Sequence, residues 1–231
     1  MFYDLHMHSC LSPCADNDMT PNNICNMALL KELDIIAVSD HNSTKQLNAI
    51  DKVCKELPLK LLYGCELQTS EEVHCLAIFN TLEKANKFQI WLDEKMPKIQ
   101  NDINYFGNQL IMNEKDEVIK EEENLLLVSL NASIEESIDA IHEYGGKAIL
   151  AHVLDRQNSI TTQLGFIPKG LPYDGIEVKS NEQKLKVLKM HKWIKEEDTI
   201  WFIDSDAHYL TDISEKENFL QDSIFERLWG V

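Results

Sequence analysis

The chain has 231 residues and an apolar content of 44%, which is enough for one medium-sized globular domain with a core of its own. Its formal net charge is −17, and its only arginines are Arg156 and Arg227. This composition argues against a long nucleic-acid duplex as partner, because such binding depends on basic side chains that neutralise phosphates. No stretch reaches the roughly 18 apolar residues of a membrane span, and the first residues lack the pattern of a signal peptide. We therefore expect a cytoplasmic protein that does not contact a membrane.

Hydrophobic periodicity predicts strands that alternate with helices along most of the chain. Continuous apolar runs predict strands at about residues 2–6, 35–38, 59–63, 73–79, 147–151, 175–178 and 199–203. Capping residues and apolar stripes predict helices at about 20–30, 43–57, 81–96, 133–144 and 182–194, and another in the tail after Ser214. A long loop is expected at 153–172. Such alternation is typical of a parallel α/β fold, open or closed into a barrel.

Residues 98–123 break this pattern. The segments 109–112 and 117–119 could pair as a β-hairpin around the polar turn 113–116. The segment is too short to bury a core of its own. We therefore predict a single domain over residues 1–231, with an insertion at about 98–123.

Six cysteines are present: Cys10, Cys14, Cys25, Cys54, Cys65 and Cys75. In a cytoplasmic chain of this length, reduced thiols are a better interpretation than disulfides. Cys10 and Cys14 have a C-x3-C spacing that could bind zinc, but no second pair of Cys or His follows at the spacing of a zinc finger. The reduced-thiol interpretation is therefore preferred.

Histidines and acids recur where predicted strands end, and in α/β barrels the chemistry lies at those carboxyl ends. These positions are His6, His8, Asp40, His41, Glu66, His152, Asp206 and His208. With His74, six of the eight histidines of the chain lie at such strand ends or beside them, which indicates a shared metal site.

Two acids are expected to orient the histidine rings rather than bind an ion. Asp4 should share one face of the first strand with His6 and His8, because side chains alternate along a strand. Asp40 is expected to act similarly, although it could instead contact a metal. Glu177 ends a predicted strand, where a polar wall of the site and a solvated strand end are equally compatible with the sequence.

With these residues assembled, the chain resembles the PHP superfamily, the polymerase and histidinol phosphatase group. Five motifs run in family order over essentially the whole chain. They are Asp4-Leu5-His6-Met7-His8-Ser9, Ser39-Asp40-His41, Gly64-Cys65-Glu66 with His74, Ala151-His152, and Ser205-Asp206-Ala207-His208.

The resemblance implies an α/β fold, a distorted (β/α)7 TIM-like barrel, with three divalent metal ions. The implied ligands are His6, His8, Glu66 and Asp206 for one ion, Glu66, His74 and His152 for a second, and His41 and His208 for a third. The family adds a loop ligand to the third site. Counting back from Pro21 places this ligand at Asp16, with Asp18 as the rival position.

Nitrogen and oxygen ligands suit zinc, manganese or iron. Closely spaced ions lower the pKa of a bridging water and neutralise phosphoryl charge, so we expect a bridging hydroxide to attack the phosphorus of a phosphate ester. The predicted catalytic residues are Asp206, His208, Arg156 and Asp40. Because a guanidinium binds phosphate through two hydrogen bonds, Arg156 is the predicted phosphate ligand, and a surface ion pair with Asp155 is the alternative.

We therefore expect a metal-dependent phosphoesterase. Stand-alone PHP proteins of this size resemble 3′,5′-bisphosphonucleotide phosphatases and 5′-to-3′ exonucleases, so the expected partner is a small phosphorylated substrate or a short nucleic-acid end. Histidinol-phosphate phosphatase is the alternative enzyme. A non-catalytic metal-binding scaffold is the alternative of another class, and a hydrolase of C–N bonds is a weaker one. The sequence does not give the native metal or the oligomeric state.

Overall fold

The computed structural model describes residues 1–230 as nine β-strands, eight α-helices and two short 3-10 helices. The strands are β1 (Tyr3–Met7), β2 (Ile35–Val38), β3 (Lys60–Gln68), β4 (His74–Phe79), β5 (Leu110–Met112), β6 (Val118–Glu121), β7 (Lys147–Leu150), β8 (Gly175–Glu177) and β9 (Ile200–Phe202). The α-helices are α1 (Pro21–Leu30), α2 (Leu47–Cys54), α3 (Leu82–Lys95), α4 (Ile103–Phe106), α5 (Ile134–Glu143), α6 (Ile160–Leu164), α7 (Asn181–Met190) and α8 (Asp222–Trp229). No helix of residues 1–230 combines the length and apolar character needed to cross a bilayer.

Most predicted elements are confirmed at their places, but α4 was not predicted, and α2 and α7 are shorter than expected. The loop expected at 153–172 contains the short helix α6, the last helix begins at Asp222 rather than near Ser214, and β3 continues to Gln68. The extension of β3 matters for the site, because it places Glu66 inside a strand rather than after one.

Seven strands form one curled sheet in the order β1-β2-β3-β4-β7-β8-β9. All neighbours are parallel except β4, which runs antiparallel to both β3 and β7. Strand β4 thus departs from the parallel arrangement that the alternation of strands and helices predicts. The reason is the length of the connection: only residues 69–73 separate β3 from β4, whereas a parallel crossover needs about a dozen residues or more.

The sheet curls until the chain that follows β9 lies beside β1. The backbone N–H of His8 donates to the carbonyl of Ala207 at 2.9 Å. The line along which β1 and the chain after β9 meet is the seam of the sheet. Farther along this seam, Oδ1 of the buried Asp204 accepts the Leu5 N–H at 2.6 Å. A side chain thus satisfies a backbone donor where the two edge strands do not pair. This curled sheet confirms the prediction of a distorted TIM-like barrel.

The interior of the curl is filled by apolar residues and closed at one end by α8. Leu5 and Phe202 belong to this inner layer together with Trp229 of α8. Nζ of Lys60, the first residue of β3, lies 5.6 Å from the ring centroid of Phe225 in α8, which places this helix at the amino ends of the parallel strands. Full burial of side chains of this size is worth about 1.5–3 kcal/mol each. Because α8 covers the amino ends, the carboxyl ends of the parallel strands form the open end of the barrel.

A β-bulge interrupts the alternation of side chains along β1. Its register with β2 pairs Asp4 with Ile36 and then Met7 with Val38, so β1 holds one more residue than β2 between these pairs. Side chains before and after the bulge consequently do not follow one two-residue period.

Because of this bulge, the prediction that Asp4 lies beside His6 and His8 and orients a histidine ring is wrong. The Asp4 carboxylate accepts the backbone N–H groups of Ser205 at 3.2 Å and Ser214 at 2.9 Å. Asp4 therefore fixes β1 against the segment that follows β9.

Residues 98–123 contain the predicted hairpin, in which β5 and β6 pair antiparallel. Its turn is bound to the start of α1, where the Asp116 carboxylate accepts the Thr20 hydroxyl at 2.7 Å and the Asn22 N–H at 3.1 Å. The Gln46 side chain, just before α2, bonds to both backbone groups of Met112. These contacts hold the segment against the first two helices, and its description as an insertion into a single domain stays a prediction.

Candidate metal centre

The predicted metal ligands other than Asp16 converge at the open end of the barrel around the carboxylate of Glu66. This side chain is 1% exposed. Its Oε1 lies 2.8 Å from His74 Nδ1 and 3.0 Å from His152 Nε2, and its Oε2 lies 3.1 Å from His41 Nδ1. Burial alone would raise the pKa of Glu66, but the surrounding imidazoles hold it well below its usual range. Glu66 is therefore ionised and can be shared between neighbouring cations.

Three groups of side chains bring their possible ligand atoms within 4.8 Å of one another. They are His6–His8–Asp206, His41–Glu66–His74 and His8–His41–His208. In the first group, Oδ1 of Asp206 lies 3.4 Å from Nε2 of both histidines. The groups share members, so ions held in them would be neighbours.

His6 is oriented by Glu177, whose role the sequence left open. Nδ1 of His6 lies 3.0 and 3.2 Å from the two Glu177 oxygens, and both side chains are fully buried. Because the carboxylate accepts, the proton of the neutral ring lies on Nδ1 and the lone pair of Nε2 faces Asp206. The interpretation of Glu177 as a solvated strand end is thus wrong. The signal in the sequence was an acid at the end of a strand beside other site strands.

His8 is oriented through a serine by Asp40. Nδ1 of His8 lies 3.0 Å from Oγ of Ser12, and the Ser12 hydroxyl donates to Asp40 Oδ1 at 2.7 Å. The hydroxyl proton is engaged by Asp40, so Ser12 accepts from the His8 Nδ1–H and leaves Nε2 available to an ion. Asp40 also accepts the Ser9 N–H at 2.8 Å and the Ser9 hydroxyl at 2.6 Å. This position behind His8 agrees with an orienting role.

The residues present fit divalent metal ions. Several buried atoms make no hydrogen bond although some of them lie about 3 Å from another side chain of the cluster: His41 Nδ1, Glu66 Oε2, His152 Nδ1 and both ring nitrogens of His74. Such atoms are rare in proteins and cost about 1–3 kcal/mol each. Metal coordination would satisfy several of them at once.

The backbone is unusual at three positions of the site. His152 and Asp206 have positive φ angles of 27° and 56°, a strained conformation for residues other than glycine. At Gly64, a Cβ atom would lie 2.1 Å from Oγ of Ser39, so only glycine lets β3 approach the residue that follows β2. This close approach explains the glycine two residues before Glu66.

A cavity of about 800 Å³ opens above the cluster, and Arg156 lies in its wall. The alternative ion pair between Arg156 and Asp155 is not formed. Asp155 instead pairs with Lys179 at 2.7 Å. Nζ of Lys179 also lies 3.9 Å from Oδ2 of Asp206, which makes Lys179 a site residue that the sequence analysis missed.

The structure does not bring the two predicted loop ligands into the cluster. Asp16 and Asp18 are both exposed, and the Asp16 carboxylate accepts the Asp18 N–H at 2.8 Å. Within residues 1–230, neither joins a group of three possible ligand atoms. The Asp16 backbone N–H donates to the His208 carbonyl at 2.9 Å, so the loop itself does pass beside the site.

Comparison with known families identifies the chain. Residues 4–164 match the profile of the PHP domain, which covers more than half of the sequence and the motifs from Asp4 to His152. The chain belongs to the PHP domain family. The resemblance drawn from the motifs is thereby confirmed. No curated protein in the comparison matches the sequence.

Solved structures share the fold of this PHP protein at low sequence identity. A candidate metal-dependent phosphoesterase from Bifidobacterium adolescentis has a TM-score of 0.64 and 18% identity, covering 98% of this chain and 94% of its own. An amidohydrolase from Chromobacterium violaceum, with bound sulfate and no metal, has a TM-score of 0.63 and 17% identity over 95% and 92%. The lesion-specific endonuclease Q of Pyrococcus furiosus has a TM-score of 0.62 and 19% identity, covering 99% of this chain but 56% of its own.

Binding of metal to this PHP protein should release protons. Burial lowers the pKa of His8, but hydrogen bonds with Asp206 and Glu66 outweigh it and raise the pKa to about 9. Burial also lowers the pKa of His6, but the negative charges of Glu177, Glu66 and Asp206 outweigh this effect and hold the pKa well above its usual value. At pH 7 both rings then carry a second proton that an ion has to displace.

We expect the affinity for Zn²⁺ or Mn²⁺ to rise from about pH 6 to about pH 9. Calorimetry in buffers of different ionisation enthalpy counts the protons, and binding at pH 7 without release would contradict this assignment.

Proposed function

We propose that this PHP protein is a metal-dependent hydrolase of phosphate esters. The observation that carries the proposal is the buried Glu66 carboxylate, shared by histidines of neighbouring groups at the floor of an open cavity. Divalent ions bound there would lower the pKa of water and neutralise charge on phosphoryl oxygens. The chain's own residues supply the ligands, their orientation and the walls that position a substrate.

We propose three divalent ions, of zinc, manganese or iron. The proposed ligands are His6, His8, Glu66 and Asp206 for the first ion, Glu66, His74 and His152 for the second, and His41 and His208 for the third. The contacts among these side chains support the assignment, since every proposed ligand lies within about 4 Å of another one in the cluster. Asp206 and His208 are proposed catalytic residues because both also line the cavity.

Nucleotides or the ends of short oligonucleotides are the proposed substrates. The net charge of −17 disfavours a long duplex, whereas a terminal phosphate can reach the local cations Arg156 and Lys179. Amide side chains of Gln68, Gln157 and Asn158 line the same cavity and can bond to a sugar or a base. Endonuclease Q, which has a related fold, has been solved in complex with a DNA duplex that carries an abasic lesion.

The substitution Arg156→Lys should raise KM or lower kcat by about tenfold, because a lysine cannot form the paired hydrogen bonds of a guanidinium with phosphate. Steady-state phosphate release measures the effect. The matched control is Arg227→Lys, which changes the other arginine of the chain on the exposed side of α8. Equal kinetics for the two variants would discard the phosphate-binding role of Arg156.

The experiment that tests the function is phosphate release in the presence of Mn²⁺ or Zn²⁺ from a panel of esters. The panel contains a 3′,5′-bisphosphonucleotide, a short 5′-phosphorylated oligonucleotide, histidinol phosphate and an aryl phosphate. Turnover of a nucleotide substrate supports the proposal, and turnover of histidinol phosphate alone would replace it with the alternative enzyme. Bound metal without turnover of any member would favour a non-catalytic metal-binding scaffold.

A further inference from the structure

The third proposed metal site lacks the loop ligand expected for it. Its two proposed ligands, His41 and His208, lie close together beside His8, but the carboxylate of Asp16 is exposed and accepts the Asp18 N–H. Two nitrogen ligands leave two coordination positions of a tetrahedral ion open to the loop or to solvent.

The loop that passes over this site is tied to it at two points. Ser12 Oγ accepts the backbone N–H of His41 at 3.1 Å, and the backbone N–H of Asp16 donates to the carbonyl of His208 at 2.9 Å. Cys14 lies midway between these ties in the sequence. Its side chain lines the same cavity as His41 and His208.

Two further observations mark this thiol as available to an ion. The first is that the buried Nδ1 of His41 makes no hydrogen bond, not even with the Glu66 oxygen 3.1 Å away, so one of the rings that Cys14 would join at an ion has an unsatisfied nitrogen. The second is that Cys14 is exposed, whereas the other five cysteines, all within the described residues 1–230, are buried. Those five fill the core, while Cys14 faces the cavity.

We propose that Cys14, in place of Asp16, is the loop ligand of the third metal site, beside His41 and His208. Its sulfur does not lie within 4.8 Å of the ligand atoms of both histidines, so the side chain must turn toward them when the ion arrives. The thiol loses its proton to solvent as the sulfur–metal bond forms. A thiolate is a soft ligand, so this site should prefer Zn²⁺ or Co²⁺ to Mn²⁺. The inference rests on the proposed metal centre.

The test uses the full chain, freed of metal and titrated with Co²⁺. We expect a near-ultraviolet charge-transfer absorption band of a thiolate bound to Co²⁺, lost in Cys14→Ser and kept in Asp16→Asn. Alkylation gives a second readout, since Zn²⁺ should protect Cys14 from iodoacetamide, as located by mass spectrometry, at least tenfold more than Mn²⁺ does.

The proposal would be overturned if the band persists in Cys14→Ser. It would also be overturned if Asp16→Asn loses an ion that Cys14→Ser retains, and Asp16 would then be the loop ligand. Neither readout depends on catalysis. A wild-type chain that shows the band without releasing phosphate therefore supports this inference while contradicting the proposed function. Phosphate release without the band would support the proposed function and contradict this inference.

Discussion

Glu66→Gln is expected to lower kcat/KM for phosphate-ester hydrolysis by about 10³-fold, which corresponds to about 4 kcal/mol of transition-state stabilisation. Glu66 is the carboxylate that His41, His74 and His152 all face at 2.8–3.1 Å. An amide of the same size carries no negative charge, and its NH₂ group would point at ring nitrogens that should bind ions. Metal content by mass spectrometry should fall together with activity.

A buried glutamate outside the site provides the control for Glu66→Gln. Glu122 is 4% exposed and pairs with Lys45 at 2.7 Å, beside the β5–β6 hairpin. Glu122→Gln should weaken this ion pair and leave metal content and rate near those of the wild type. If Glu66→Gln keeps both its ions and its rate, the carboxylate does not link the metal sites.

Glu177→Gln is expected to lower metal affinity by about 10–100-fold, because it replaces the charged acceptor that orients His6 and raises the basicity of its Nε2. Oε2 of Glu177 also accepts the His152 backbone N–H at 3.2 Å, so the change reaches a second candidate ligand. Competition with a chromogenic chelator measures the affinity for Zn²⁺.

The matched control is Glu182→Gln, on the exposed first turn of α7 just beyond β8. This variant should bind Zn²⁺ like the wild type. Unchanged affinity in Glu177→Gln, with circular dichroism equal to the wild type, would show that the His6 ring is held by packing rather than by the carboxylate.

The sequence was informative wherever a residue's position follows from a regular period. Apolar runs located the strands, and the carboxyl ends of parallel strands meet at one end of a barrel, so His6, His41 and His152 could be expected to converge. The direction of β4 also lay within reach of the sequence, because the short connection of residues 69–73 excludes a crossover.

Residues outside a regular period were harder to place. Asp4 precedes the bulge in β1 and bonds to backbone N–H groups about 200 residues away, so no local pattern in the sequence shows that its side chain lies away from the histidine rings. The loop before α1 has no repeating geometry, and counting back from a proline selected Asp16 although Cys14 lines the cavity. Lys179 could not be recognised from the sequence because its partners, Asp155 and Asp206, come from separate loops that only the fold brings together.

The closure of the sheet has a consequence for how this protein folds. Leu5 and Asp204, which meet across the seam, are 199 residues apart in the sequence. Contacts of such high sequence separation cost more chain entropy than local ones, so we expect them to form late in folding. The group His6–His8–Asp206 spans the same seam, so an ion bound there would hold the first and last strands together. A ligand that binds only the folded chain adds about 2.7 kcal/mol of stability at 100 times its Kd. Chelators should therefore lower the unfolding temperature of this protein, and amide hydrogen exchange should accelerate first at β1 and around Ala207.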